Sequence, residues 1–238
     1  MKPLHAHEAQ ESKMKKNPFS LASNFLARNG LYLFCSELNR RMKTSVRSFF
    51  LARHIGAKGF EIGASSHIRG LSCMQIGDNF RAGDGLWLEA VTVLGSQRFT
   101  PRIVIGDNVS VSRWSHIAAT HYVEIGPGTL IGSKVIITDH NHGQYGGNGP
   151  HSCPSEAPVA RLLDNGRSVI IGKNVWLGDG AVIMPGVRIG DGAVIGANAV
   201  VTSSIPSNTI AAGIPARVIK RYDKEGSIWR ADNSTGNA

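Results

Sequence analysis

The chain has 238 residues with 26 Lys and Arg against 17 Asp and Glu, giving a net charge of +9; that length suits one well-buried core with a smaller terminal element, not two full domains. Cys35, Cys73 and Cys153 are odd in number, far apart and in no metal-ligand spacing, which argues against a disulfide framework or a zinc site and for a reducing compartment. Residues 1–60 hold eleven Lys or Arg and three Glu, so +8 of the charge lies in the N-terminal quarter; with no nucleic-acid-binding motif present, the partner expected for it is an anionic lipid surface or an anionic substrate and not nucleic acid.

In chain order, residues 1–54 form a basic segment. Glu8 and Glu11 interrupt its start, and no run of about 18 apolar residues comes after them, so neither a signal peptide nor a membrane span is expected and the cytoplasm is the expected location. Residues 18–52 place Phe19, Leu21, Phe25, Leu26, Leu31, Leu33, Phe34, Leu38 and Met42 among basic residues, with Gly30 as a breaker. Two short amphipathic helices are expected there, to cap the open end of a repeat region that begins near residue 55 and to suit work at the inner membrane surface.

From Ile76 the period is six. Ile76, Ala82 and Leu88 are followed by Ile105, Val111 and Ile117, by Ile125, Ile131 and Ile137, by Ile171, Leu177 and Ile183, and by Ile189, Ile195 and Val201. Glycine often comes next, as at Gly77, Gly106, Gly126, Gly172 and Gly190, which suits a backbone bending beside each short strand. Extra residues enter after positions 93, 122 and 142, each time after three hexapeptides. Three hexapeptides therefore make one triangular coil, and the insertions leave from one corner of a stacked prism. A β-sandwich would show period two, and a leucine-rich horseshoe a period of 20 or more. The expected fold is mainly β: a left-handed parallel β-helix over 55–222, opened by an imperfect coil at Ile55, Ile62 and Ile68, stopped by Pro206 and Pro215, and followed by a loosely held polar tail over 223–238.

The longest departure from the repeat is the loop 143–170, rich in Gly and Pro and preceded by Thr138-Asp139-His140-Asn141-His142. Two histidines and a carboxylate at the mouth of a long loop are a candidate site. Ile137-Thr138-Asp139-His140-Asn141-His142, Asn174-Val175-Trp176-Leu177-Gly178, Met184-Pro185-Gly186-Val187 and Ala212-Gly213-Ile214-Pro215-Ala216-Arg217-Val218-Ile219 resemble the hexapeptide-repeat acyltransferases. The similarity covers about residues 60–222 and is strongest to the branch of galactoside and maltose acetyltransferases and bacterial surface-polysaccharide O-acetyltransferases.

That resemblance implies an acetyl-CoA-dependent enzyme that acetylates a sugar hydroxyl directly, assembles as a homotrimer and needs no metal. It implies His140 as general base, with His142 as the rival and Asp139 available to orient either ring or to meet substrate. Trp176 matches a tryptophan beside the family's active site, and Tyr145 is a candidate for the acceptor site. CoA is expected near the C-terminal coils, with Gly178, Ala197 and Thr202 by the pantetheine and Arg217 and Lys220 by the phosphates. Ser203 stands where relatives often carry lysine.

Three other readings remain. An amine on a nucleotide sugar is the alternative acceptor. A carbonic anhydrase of the same fold would use His116 and His121, five apart, with His67 as third ligand. A solenoid can also serve purely as a binding scaffold.

Overall fold

The computed structural model describes residues 18–146, 149–164 and 166–232, so the first 17 residues and the end of the expected tail lie outside the described residues. The chain divides into two compact units, Met1–Lys43 and Thr44–Ala238. The described part of the first is helical. It belongs to α1, Pro18–Ile55, which is broken at Gly30 where φ is 78° and ψ 164°; the expected breaker makes two helices of one run. Pro18 opens the first because its missing N–H is not needed there. Among the described residues no helix is long and apolar enough to cross a membrane.

The second unit is a left-handed β-helix of three parallel sheets. The first face stacks Glu61–Ile62, Arg81–Ala82, Ser110–Val111, Leu130–Ile131, Trp176–Leu177, Val194–Ile195 and Thr209–Gly213. The second stacks His67–Arg69, Trp87–Ala90, His116–Ala119, Ile136–Thr138, Val182–Ile183 and Val200–Val201, and the third Met74–Ile76, Arg102–Ile105, Tyr122–Ile125, Val169–Ile171 and Arg188–Ile189. Each hexapeptide supplies one short strand, and the predicted aliphatic positions fall in register: Leu88 on Ile117, Ile117 on Ile137, Ile137 on Ile183. A second buried column stands two residues earlier in each hexapeptide, with Phe80, Ile103, Val109, Val123, Val135, Val169, Val175 and Val187. Where that column carries Ser115 and Thr129, each hydroxyl donates to a carbonyl of the next coil, Gly132 at 2.9 Å and Gly172 at 3.0 Å, so no polar atom is stranded in the core.

The glycines after the aliphatic positions do not make the bends. A Cβ at Gly126 would lie 2.5 Å from the carbonyl carbon of Gly172 in the next coil; glycine is needed there because the coils stack too closely for a side chain. The bends fall at residues with positive φ, among them Asn79, Asn108, Asn174 and Asn208 stacked on one corner, which suits asparagine's tolerance of the left-handed region.

The ends differ from expectation. Ile55 does not open the first coil: it ends α1, stopped by Gly56 at φ 83°. With Leu51 and Ala52 it packs on the core beside Phe60, whose ring stacks on Phe80 at 5.4 Å. These last turns of the helix cap the prism. Pro206 does not stop the winding either, since Ile205 still bridges Ile189 and Thr209–Gly213 adds another rung to the first face. Beyond Pro215 the chain turns back as Ala216–Asp223, and Ile228–Ala231, expected in a loose tail, pairs antiparallel with it.

Every insertion leaves the corner between the second and third faces, as the triplet spacing requires. These are the single turn Leu71–Cys73, the hairpin Val93–Leu94 with Gln97–Arg98, the short step at 120–121 and the long loop after Thr138.

Candidate active site

At that corner the second-face strand Ile136–Thr138 ends and the long loop begins. Asp139 is completely buried. Its carboxylate accepts hydrogen bonds from the backbone N–H groups of Thr120 (2.9 Å), His121 (2.8 Å) and Tyr122 (2.8 Å) in the coil below, and from the Thr120 hydroxyl at 3.2 Å. The step at 120–121 therefore turns three amides toward one acceptor. Burial works against the carboxylate's charge, but the His140 ring and the N–H groups of Thr120 and His121 outweigh it and hold the pKa below the ordinary value.

His140 Nδ1 lies 2.8 Å from Asp139 Oδ1 and 3.3 Å from Thr138 Oγ1, and the side chain is 12 % exposed. An ionised carboxylate can only accept, so Nδ1 carries the proton and the lone pair is left on Nε2. A histidine held in this tautomer by an acid behind it is built to take a proton from whatever reaches Nε2. His142 differs. It is exposed, and its contacts run through the main chain: a bridge to Leu163 and a carbonyl that accepts from the Tyr145 hydroxyl at 2.6 Å. Of the two candidate bases, Asp139 orients His140. Asp139 itself, expected also to meet substrate, has its oxygens turned inward and taken by the chain.

The loop is organised from its base. Asn141 donates through its N–H and its side-chain amide to Asp164, both at 3.0 Å, and Asp164 N–H returns to the Asn141 carbonyl at 3.0 Å. Gln97 in the hairpin pairs with both backbone groups of Leu163, at 2.8 and 3.0 Å, so one insertion braces another. Asn141, Gln144, Tyr145, Gly146, Asp164, Gly166 and Arg167 line a cleft of about 460 Å³. Tyr145, predicted for the acceptor site, is there, its hydroxyl also accepting from Arg161 at 2.7 Å. Asn141 stood in the motif before the loop without a role assigned to it, and Gln144, Asp164 and Arg167 went unmarked in the sequence, their only signal the loop that contains them.

The remaining predicted residues are spread over the prism. Trp176 points outward from the first face, half exposed, between Leu130 and Val194. In a triangular prism that face lies opposite the corner that carries His140. Gly178 is buried, and a Cβ on it would come 2.6 Å from the Ala197 nitrogen; it serves coil stacking, and Ala197 is the exposed one of the two on the corner between the first and second faces. Thr202 and Ser203 are exposed at the opposite edge of the second face, while Arg217 and Lys220 are exposed on the reversed strand paired with Ala212 and Ile210. One chain does not gather these residues into one cluster. Among the described residues no three His, Cys, Asp or Glu side chains are arranged to hold a metal, and His67 and His116 are separated by the Trp87 ring that stacks between them.

Comparison with known proteins agrees with this architecture. Residues 168–203 match the family model described as bacterial transferase hexapeptide (six repeats). A protein of Escherichia coli K12 named as a lipopolysaccharide-biosynthesis O-acetyltransferase, WbbJ, is 44 % identical over 163 residues, 68 % of this chain and 79 % of that one. The galactoside O-acetyltransferase of the same organism is 36 % identical over 146 residues, 59 % of this chain and 63 % of its own length. Among solved structures, an N-acyltransferase from Bacillus cereus, AntD, bound to dTDP-4-amino-4,6-dideoxyglucose and coenzyme A, superposes with a TM-score of 0.56 at 22 % identity over 71 % of this chain and 84 % of that one, a likeness of fold. Repeat, corner and relatives together make this chain a member of the hexapeptide-repeat family of acetyltransferases.

Proposed function

We propose that this enzyme transfers acetyl from acetyl-CoA to a sugar hydroxyl of a bacterial surface polysaccharide or its precursor, with His140 as general base. The observation that carries the reading is the His140 ring locked by Asp139 with Nε2 left to act. An alcohol is a poor nucleophile while it keeps its proton. As its oxygen attacks the thioester carbonyl, Nε2 takes the proton; when the tetrahedral intermediate collapses, the C–S bond breaks, the proton passes to the leaving sulfur, and an acetyl ester and free CoA thiol result. No acyl-enzyme is needed. The names of both Escherichia coli relatives support oxygen over nitrogen as the acceptor atom.

The donor fits this chain at the C-terminal coils. Ala197 leaves a flat corner for the pantetheine arm, and the exposed Arg217 and Lys220 suit phosphates. Because His140 and Trp176 lie on opposite sides of one prism, the complete site forms between neighbouring chains of a homotrimer. His140→Ala is expected to lower acetyl transfer by about 10²–10⁴-fold with the coils intact, read as free-thiol release from acetyl-CoA with sugars and amino sugars offered as acceptors. Transfer that survives the substitution, or that goes only to amines, sinks the reading.

The first unit supports a membrane-surface role. Leu31, Leu38 and Met42, spaced by seven and four, are exposed along one side of the helix, and over residues 18–43 Arg28, Arg40, Arg41 and Lys43 accompany them against one acid, Glu37. Binding to anionic lipid vesicles tests it.

A further inference from the structure

The outward side of the second face carries two adjacent columns that neither the fold nor the proton transfer uses. In the first, His67, Trp87 and His116 pair residue to residue on consecutive coils. Their rings follow one another at centroid distances of 5.1 and 5.4 Å, each pair tilted by 47°. Trp87 is 45 % exposed, yet its indole N–H donates to Glu89 at 2.7 Å, so the ring is held with its polar atom satisfied. The core asks for nothing aromatic here, since the inward neighbour on that strand is Leu88. In the second column Arg69, Glu89, Ala118 and Thr138 stand on successive coils, and Arg69 reaches Glu89 at 3.8 Å.

Both columns lead to the candidate base. Thr138 Oγ1 lies 3.3 Å from His140 Nδ1. Ala118, one coil below, is only 5 % exposed although it points outward. His116, exposed on its strand, is shifted below the usual imidazole pKa by partial loss of solvent, with Glu89 opposing and the nearby His140 adding to the effect. The result is a ladder of partly exposed rings beside a column that carries Arg69, Glu89 and Thr138, the last of them in contact with the His140 ring.

We propose that this face is a carbohydrate platform and that the acceptor is an oligosaccharide of several units, its reacting sugar at His140 and its remaining units lying over Trp87 and His67. The proposal rests on the reading of His140 as the base. A pyranose presents apolar C–H faces and a rim of hydroxyls, the two surfaces these columns match, and the rungs are spaced like the units of an extended glycan. Arg69 and Glu89, paired with each other beside the rings, can also meet the hydroxyl rim of such a guest.

The test compares kcat/KM for mono-, di-, tri- and tetrasaccharides of glucose, galactose, rhamnose and N-acetylglucosamine, with free thiol as readout. The enzyme is expected to favour the longer member of at least one series. Trp87→Ala should lower the ratio of oligosaccharide to monosaccharide kcat/KM by about five- to tenfold, and Trp87→Phe, which keeps a ring, should restore most of it. His67→Ala, at the far end of the ladder, should penalise only acceptors long enough to reach it and serves if the tryptophan variant misfolds. A panel in which no oligosaccharide outperforms its monosaccharide overturns the proposal. So does a Trp87→Ala enzyme with an unchanged ratio, or one that falls to monomers in sedimentation, since the face would then be a contact between copies. Failure of the His140 reading shows separately, as transfer that survives His140→Ala.

Discussion

Asp139 does two things with one carboxylate. It neutralises the amides of the 120–122 step and fixes the His140 ring, and both uses need the charged form. Its pKa is held down in the folded chain, so its contribution to stability is present above the ordinary carboxylate range and is lost as pH falls through the depressed folded value. The resistance of the wild type to urea should therefore weaken on acidification toward that value, and Asp139→Asn should lack that component. Asp139→Ala would leave buried N–H groups without an acceptor, at a cost of about 3 kcal/mol. Asp139→Asn should also lower kcat more than it raises KM, because the substitution acts on the base and not on acceptor binding. The Thr-Asp-His run was readable in the sequence; the partners of Asp139 were not, because they lie 17–19 residues away and only the stacking of one coil on the next brings them under it.

At the level of elements, the helix before the prism divides by what it touches. Its last turns carry Leu51, Ala52 and Ile55 onto the core, whereas Leu31, Leu38 and Met42 remain exposed. Vesicles containing anionic phosphatidylglycerol should bind the full chain at low ionic strength and release it as salt rises, and Leu38→Glu with Met42→Glu should abolish the binding; equal binding to neutral vesicles, or none at all, would remove the membrane role. The β elements were legible because a period of six admits one geometry, and three hexapeptides per coil placed every insertion on one corner. The reason for the glycines was not legible, since a close approach between coils and a bend both select glycine and only coordinates separate Gly126 from the bend at Asn79. Nor was the inside of the long loop, whose order comes from Asn141 with Asp164 and from Gln97 with Leu163. Those pairings are specific contacts without a period.

For the whole molecule, the roles proposed for His140 and Trp176 set a geometric condition. Topology places them on opposite sides of a prism whose interior is filled by aliphatic columns, so no movement of side chains within a chain brings them together. The proposed homotrimer would do so at each junction by setting the corner of one chain against the first face of the next. If Trp176 supplies an aromatic wall there, His140→Ala and Trp176→Ala homotrimers are each impaired, yet the two defects lie in different chains at every junction. Mixing the variants under conditions that exchange subunits should then regenerate junctions with an intact histidine from one chain and an intact tryptophan from the next. Random assembly from equal amounts gives about a quarter of the junctions in that state, and acetyl transfer should recover toward that fraction of wild type. Exchange that occurs, as shown by mass-tagged subunits, without any recovery would mean that both residues serve within one chain or that Trp176 has no part in the site.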